Sequence, residues 1–373
     1  VTSVRIGLVT PYDLSVDGGV NRHVLALARA YRGRGLEARV LGPASGAVPE
    51  GCEGLPGVVP VPANGSVARI HLLGRPGAVR AWLDRHRPDV LHVHEPFVPG
   101  PGRLALRVAR APVVATFHAN AERELPVQAL LRRAASAGLS RIAFGIAVSR
   151  EAKRFSRVVF RGRTAVVPNG VDLERFRAAL AAAPARRGGG PLRVLFVGRF
   201  GEQRKGFPVL VEAMALLRAQ RRDATLTVVG AGHPARWLAR AGGLGIAFRG
   251  RLSDADLAAA YRAHDLFCAP SLGGESFGMV LVEAMAAGCP VVASDIPGYA
   301  EAARGAALLS PPGDPGALAA ALWRAGEDAE LRARLAARGR ARAEALSWTR
   351  VADRVLHVYE AAGGWDRRAM AGA

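Results

Sequence analysis

The sequence predicts an α/β protein built from two doubly wound, parallel-sheet domains facing each other across a cleft. Three observations predict it. The length of 373 residues exceeds one ordinary hydrophobic core. Both halves alternate short apolar runs with amphipathic stretches, the rhythm of β-α units. Between them the pattern breaks at AALAAAPARRGGGP, about residues 178–191, where proline, three glycines and two arginines read as a linker.

In the first half, strands are read at VRIGLVT, ARVLGP, DVLHVHEP, PVVATFH, RIAFGIAVS and TAVVPNG. A helix from Val20 aligns Val20, Val24, Leu27 and Tyr31 toward the sheet and turns its polar residues to solvent. After the break the strands resume at LRVLFVGRF, TLTVVGAG, IAFRG, DLFCAPS, PVVASD and AALLSP, and the Ala- and Arg-rich stretch from Asp314 is expected to be helical. The longest apolar runs, such as VVATF and IAFGIAV, fall far short of the ~20 residues that cross a bilayer. The opening VTSVRIGLVT lacks a basic n-region and cleavage site, so a cytoplasmic protein is expected. Cys52, Cys268 and Cys289 have no metal spacing and are expected to be inert thiols.

The formal charge of +20, from 51 basic and 31 acidic residues, implies attraction to something anionic: nucleic acid, phospholipid or a phosphorylated substrate. The sign does not choose among them. Only Lys153 and Lys205 are lysines, so the excess is almost wholly arginine, a bias that composition alone can produce. The few aromatics do not interleave with arginines and no reading helix is visible, so no nucleic acid is expected.

Ligands of open α/β sheets gather at the carboxyl ends of strands, which directs attention to the residues after each run. TPYDLSVDGGVNRHV enters a helix through Gly18 and Gly19, where a phosphate could approach bare backbone and a positive helix end; a turn needing positive φ explains such a pair equally well. In VGRFGEQRKGFPVL, Arg199 and Lys205 could grip one pyrophosphate, the first as a fork and the second as a point charge, with solvated surface cations as the alternative. In GGESFGMVLVEAMAAG, Glu275 precedes a helix from about Phe277, beside the amides of Phe277 and Gly278, where it could hold sugar hydroxyls or serve simply as an N-terminal helix charge. Glu283 lies among apolar neighbours and needs a donor, either a ribose or an arginine.

His92 and His94 share one strand face next to Glu95, and His118 ends its strand. No further clustered ligand is visible, so no metal site is expected. Asp254-Ala255-Asp256 after Ser253 fits a helix N-terminus better than a metal-binding acid pair. Serine-nucleophile, Walker and HExxH patterns are missing, and VGAGH lacks the full dinucleotide fingerprint.

Taken together, Gly18-Gly19-Val20, Arg199 with Lys205, and the E-x7-E element Glu275 to Glu283 resemble retaining nucleotide-sugar glycosyltransferases of the GT-B fold, two Rossmann-like domains about a cleft. The resemblance spans nearly the whole chain. It is strongest to actinobacterial phosphatidylinositol α-mannosyltransferases, through IGLVTPYDLSVDGGVNRHV, NGSVARI, VLHVHEPFVP, VVATFH, PNGVD and LGGESFGMVLVEAMAAG.

That resemblance implies an acceptor domain over residues 1–177, a donor domain over 192–348, and a terminal helix, about 349–373, packing back on the acceptor domain. It implies GDP-mannose as donor, with no cofactor required. Glu283 would hold the ribose, Arg199 and Lys205 the pyrophosphate, Glu275 and His118 the mannose, with Gly19 near the diphosphate and Asp254 reading the guanine. Tyr12, Asn21, Asn64, Ser66 and Arg69 would surround the inositol phosphate of phosphatidylinositol. The expected reaction retains configuration, the leaving diphosphate accepting the acceptor's proton on the same face. A related enzyme with another nucleotide sugar, or with a soluble or different lipid acceptor, would keep the donor residues. Contact with anionic membrane is expected from residues 75–87, around Trp82 with Arg75, Arg80, Arg85 and Arg87, and from 122–137, making the protein peripheral on the inner face of the cell membrane. An ordinary packed helix with a solvated face is the alternative.

Overall fold

The structure is a computed structural model that describes residues 4–63, 66–71, 76–118, 138–182, 190–220, 223–241 and 243–363. The chain forms two compact units, one running to Gly170 and resuming at Trp348, the other Val171–Ser347.

The first unit carries a seven-stranded sheet and a hairpin. Its strands are β1 (Arg5–Val9), β2 (Glu37–Pro43), β3 (Cys52–Leu55), the antiparallel pair β4 (Val59–Ala63) and β5 (Ser66–Ile70), then β6 (Val90–His94), β7 (Val113–Phe117), β8 (Ile142–Ala147) and β9 (Thr164–Val166). The sheet order is β3-β2-β1-β6-β7-β8-β9, all parallel. The order reverses between β1 and β6, the place where such sheets bind ligands. The sequence reading missed β3 and the hairpin. CEGL is too short and glycine-broken to show a period, and the prolines of VPVPA argue against a strand, although a two-stranded ribbon tolerates them at its edges.

Each face of this sheet has its own core. On one, the helix Gly19–Arg32 lays Val24, Leu27 and Tyr31 against Ile6, Leu8 and Val40. The terminal helix Trp348–Ala361 joins it through Val351, Val355 and Tyr359. On the other face lies the helix Pro76–His86, whose Val79 and Trp82 are buried. Trp82 is 2% exposed, and its ring lies 3.2 Å from where a side chain on Gly7 would begin. This corrects the membrane reading of Trp82: positions three apart on this helix face the core, while Arg80 and Arg85, with Arg87 just after the helix, are exposed beside Ala81 and Asp84. Arg75 and residues 122–137 lie outside the described residues.

The second unit repeats the plan with β10 (Arg193–Val197), β11 (Thr225–Val229), β12 (Ile246–Gly250), β13 (Leu266–Ala269), β14 (Val291–Ser294) and β15 (Ala307–Ser310). Their order, β12-β11-β10-β13-β14-β15, is parallel throughout and reverses between β10 and β13. Cores fill both faces, Leu210, Met214 and Leu322 on one side, Leu281, Met285 and Tyr261 on the other.

One boundary differs from the sequence reading. The break expected at 178–191 begins inside a helix, Leu173–Ala182, which belongs to the second unit: Phe176 is buried against Tyr261, and Arg175 pairs with Asp254 at 3.2 Å. The change of unit therefore falls at Gly170/Val171, where Val171 bridges to Ser347. The return falls at Ser347/Trp348, inside the Ala- and Arg-rich stretch, which is three helices in the second half of the chain: Pro315–Glu327, Ala329–Ala345 and Trp348–Ala361.

Candidate functional site

In the second unit the switch point brings together the residues that follow β10 and β13. Glu275, only 12% exposed, accepts hydrogen bonds from Lys205 Nζ at 2.6 Å and Arg204 Nη1 at 2.7 Å. Arg204 also pairs with Glu202 at 2.9 Å, and Arg199 pairs with the same carboxylate at 2.8 Å. Three cations and two carboxylates thus share one partly buried patch, net positive by one. The sequence reading named Arg199, Lys205 and Glu275; the structure joins Lys205 directly to Glu275 and inserts Arg204, whose only sequence signal is its place beside Lys205.

Close backbone contacts hold this patch. Gly206 has φ +63°, and a Cβ there would stand 1.9 Å from the Pro270 carbonyl oxygen, so only glycine lets the Lys205 turn lie on the end of β13. Below Glu275, Tyr299 and Ser271 hydroxyls meet at 2.7 Å and Ser271 Oγ donates to the carboxylate at 3.4 Å. Burial, then the charge of Glu275, pushes the Tyr299 phenol well up, so it stays a donor.

The helix bearing Glu283 is Met279–Ala286, two residues later than expected, because Gly278 caps it in the left-handed conformation at φ 84°. Phe277 is buried against this core and Gly278 lies against Tyr299. Glu283 is half-buried and accepts a hydrogen bond from Tyr261 Oη at 3.2 Å. Burial, and next the Glu283 charge, raises the Tyr261 phenol well above its ordinary value. Neither Tyr261 nor Tyr299 was singled out from sequence; both stand more than twenty residues from the carboxylate they serve. Asp254 opens the helix Asp254–Ala263 behind its N-cap Ser253 and is exposed, as a helix-start acid should be.

In the first unit the loop after β1 leads to the helix Gly19–Arg32. Gly18 has φ −164° and neither glycine has a positive φ, so the turn explanation of the pair does not hold. Both are exposed, and a Cβ on either would meet nothing within 4 Å. The helix end offers bare backbone and no acidic residue in its first turn.

Asn21 is buried rather than turned to solvent. Its amide donates to the carbonyls of Asp13 at 2.7 Å and Val16 at 3.2 Å, and its own oxygen accepts from Thr10 Oγ1 at 3.0 Å. It shapes the loop and has no polar atom left over for a ligand. Tyr12 is half-buried, and burial with the nearby Glu95 charge raises its phenol. Arg69 is exposed on β5, and its carbonyl receives the Asp13 amide at 2.9 Å. Asn64 and the Ser66 side chain lie outside the described residues.

The strand-end histidines gather differently from the sequence expectation. His92 is held inside by Tyr359 Oη at 2.7 Å and Thr116 Oγ1 at 2.6 Å. His94 Nδ1 meets His118 Nε2 at 3.0 Å, and His23, from the helix Gly19–Arg32, packs edge-on against both. Glu95 turns away at φ 48° and accepts the His118 backbone N–H at 2.6 Å. Burial lowers all four: His23 to about 4, His92 to about 3, His94 and His118 well below the ordinary value, so these imidazoles are neutral at neutral pH.

Two parallel α/β units with polar clusters at their switch points define the GT-B class of glycosyltransferase. Family models agree: one described as glycosyltransferase family 4 matches residues 17–175, and one described as glycosyl transferases group 1 matches 191–328. A solved glycosyltransferase from Rickettsia africae superposes at TM-score 0.75 over 97% of this chain and 99% of that one, at 18% identity. The phosphatidyl-myo-inositol mannosyltransferase of Mycobacterium leprae is 42% identical over 96% of both chains. That of Mycolicibacterium smegmatis is 41% identical over 97% of this chain and 95% of its own. The chain belongs to the family these mannosyltransferases form.

Proposed function

We propose that this protein transfers mannose from GDP-mannose to the inositol ring of phosphatidylinositol, with retention of configuration, at the cytoplasmic face of a membrane. The observation that carries the reading is the Lys205–Arg204–Glu275 cluster at the β10/β13 switch point, in a chain 42% identical to a named phosphatidylinositol mannosyltransferase. Ordered cations there suit a diphosphate leaving group, whose growing charge they would stabilise without a metal. Donor binding would draw Lys205 and Arg199 toward the diphosphate and free Glu275 for hexose hydroxyls. Glu283, held by Tyr261, takes the ribose, and Asp254 the base.

On the first unit, Gly19 gives backbone to the diphosphate, and His118, neutral and accessible, addresses the hexose. Tyr12 and Arg69, with Asn64 and Ser66 named from the sequence, would bind the inositol phosphate, while Asn21 acts by shaping the loop after β1. Displacement with the leaving diphosphate as base is the proposed course, since beyond Glu275 the sequence motifs offer no second carboxylate in a context that suggests a nucleophile. The outward Arg80, Arg85 and Arg87, together with the formal charge of +20, suit reversible attachment to anionic lipid.

The test is hexose transfer to phosphatidylinositol in liposomes, with GDP-mannose, UDP-glucose or no donor. Mannolipid from GDP-mannose alone is the expected outcome. Donor hydrolysis without lipid product would rule out this acceptor, and product from UDP-glucose would rule out this donor.

A further inference from the structure

We propose that His23, His94 and His118 form a binding site for one divalent transition-metal ion of the zinc class in the first unit. Each offers one ring nitrogen, and the three nitrogens lie within 4.8 Å of one another. One pair, His94 Nδ1 and His118 Nε2 at 3.0 Å, is near the ~3.3 Å edge of a tetrahedron of nitrogens around zinc. Small rotations about the side-chain bonds of His23 and His118 would complete it.

Three features separate this cluster from ordinary packed histidines. The first is an orphan: His94 is fully buried, and among the described residues its Nε2 has no hydrogen-bond partner. Its Nδ1 has only another imidazole, so the side chain lacks the usual polar compensation for burial. The second is orientation from behind. His23 Nδ1 lies 2.8 Å from Asn169 Oδ1, an oxygen that accepts and therefore fixes the proton on Nδ1, leaving Nε2 with a lone pair. Ligand histidines are held this way by a carbonyl on the far nitrogen. The third is rigidity. The ligands come from a helix and from the ends of β6 and β7, and Trp348 packs edge-on against His23 at 5.0 Å.

The donor set selects the ion. Three neutral imidazoles suit zinc and its neighbours, whereas magnesium and calcium require oxygen ligands and copper(I) prefers sulfur. Cys268 and Cys289 belong to the other unit and Cys52 to β3, so no thiolate completes the set among the described residues. Three histidines leave a fourth position for water or a competing ligand. His118, half-buried, is the accessible edge.

The three ligands all belong to the first unit, and on the proposed function occupancy would take His118 away from the hexose. Zinc is therefore expected to inhibit transfer rather than support it. Binding is measured without substrate, on untagged full-length protein: zinc by titration calorimetry, and cobalt by the visible absorption of a four-coordinate ion. One equivalent should bind, with the cobalt bands lost in His118→Gln and in His94→Gln, and unchanged in His357→Ala, an exposed histidine elsewhere. Asn169→Ala should weaken zinc by ~10–100-fold, the usual effect of removing a supporting group. Should His94→Gln fail to fold, the half-buried His118→Gln decides. No stoichiometric binding by the wild type, or full binding by His118→Gln, would overturn the proposal.

Discussion

Glu275 accepts from two cations and a hydroxyl, so truncating it does two things at once. It removes the carboxylate proposed to hold hexose hydroxyls, and it releases Lys205 and Arg204 from their partner. GDP carries no hexose, and freed cations attract its phosphates. Glu275→Ala should therefore lower turnover by ~100-fold or more, the scale on which misplaced reactants lose rate, while GDP affinity stays within a few-fold. Steady-state kinetics beside GDP calorimetry separates the two, and an equally active variant would remove this role. The unusual position of Glu283 in an apolar helix is explained at the same scale. Its carboxylate is half-buried and Tyr261 supplies a donor, so the helix tolerates the charge.

At the scale of elements, the donor-side cluster depends on two turns lying in contact. The turn carrying Lys205 crosses the end of β13 through Gly206, and Gly298 lies equally close to the Glu275 carbonyl, 2.1 Å from where its Cβ would be. A methyl at residue 206 must push the Lys205 turn off Pro270 and must also take a left-handed φ. Gly206→Ala should cost about 2 kcal/mol or more in a urea melt and weaken donor binding by separating Lys205 from Glu275. An unchanged midpoint would show that the turn yields freely. The first unit's loop 10–16 works differently. Its shape rests on Asn21 and on Asp13, which accepts from Ser15 and Ser45 and stays below its ordinary carboxyl value through those bonds despite the opposing effect of burial.

For the whole molecule, the buried histidines set a pH dependence of stability. His23, His92, His94 and His118 all have folded values below the ordinary 6.5, the first two at about 4 and about 3. Below pH 6.5 the unfolded chain takes up protons that the folded one refuses, so stability falls as pH drops. The loss begins near 6.5 and continues to about 4 for His23 and about 3 for His92, at up to about 1.4 kcal/mol per pH unit for each histidine. Thermal melts should show a lower midpoint at pH 5 than at pH 7.5, with a shallower slope in His23→Gln. A flat profile across that range would mean that these rings are not buried neutral.

The order of strands and helices was legible in the sequence because hydrophobic periodicity is local: a strand or helix declares itself within a dozen residues. For the same reason the strand-end positions of Arg199, Lys205, Glu275 and His118 could be read without coordinates. What tertiary structure alone decided are the meetings between distant segments. Trp82 looked like a membrane residue among arginines until helix packing turned it inward, and Asn21 looked like a ligand until the loop before it folded over its amide. The unit boundary moved from the glycine-rich stretch to Gly170, because the helix Leu173–Ala182 buries Phe176 in the second unit. His23 joins His94 from seventy-one positions away, a proximity that no spacing rule encodes, since it depends on how the helix Gly19–Arg32 docks on β6 and β7. Local patterning chose the elements; burial of their apolar faces chose which polar side chains meet.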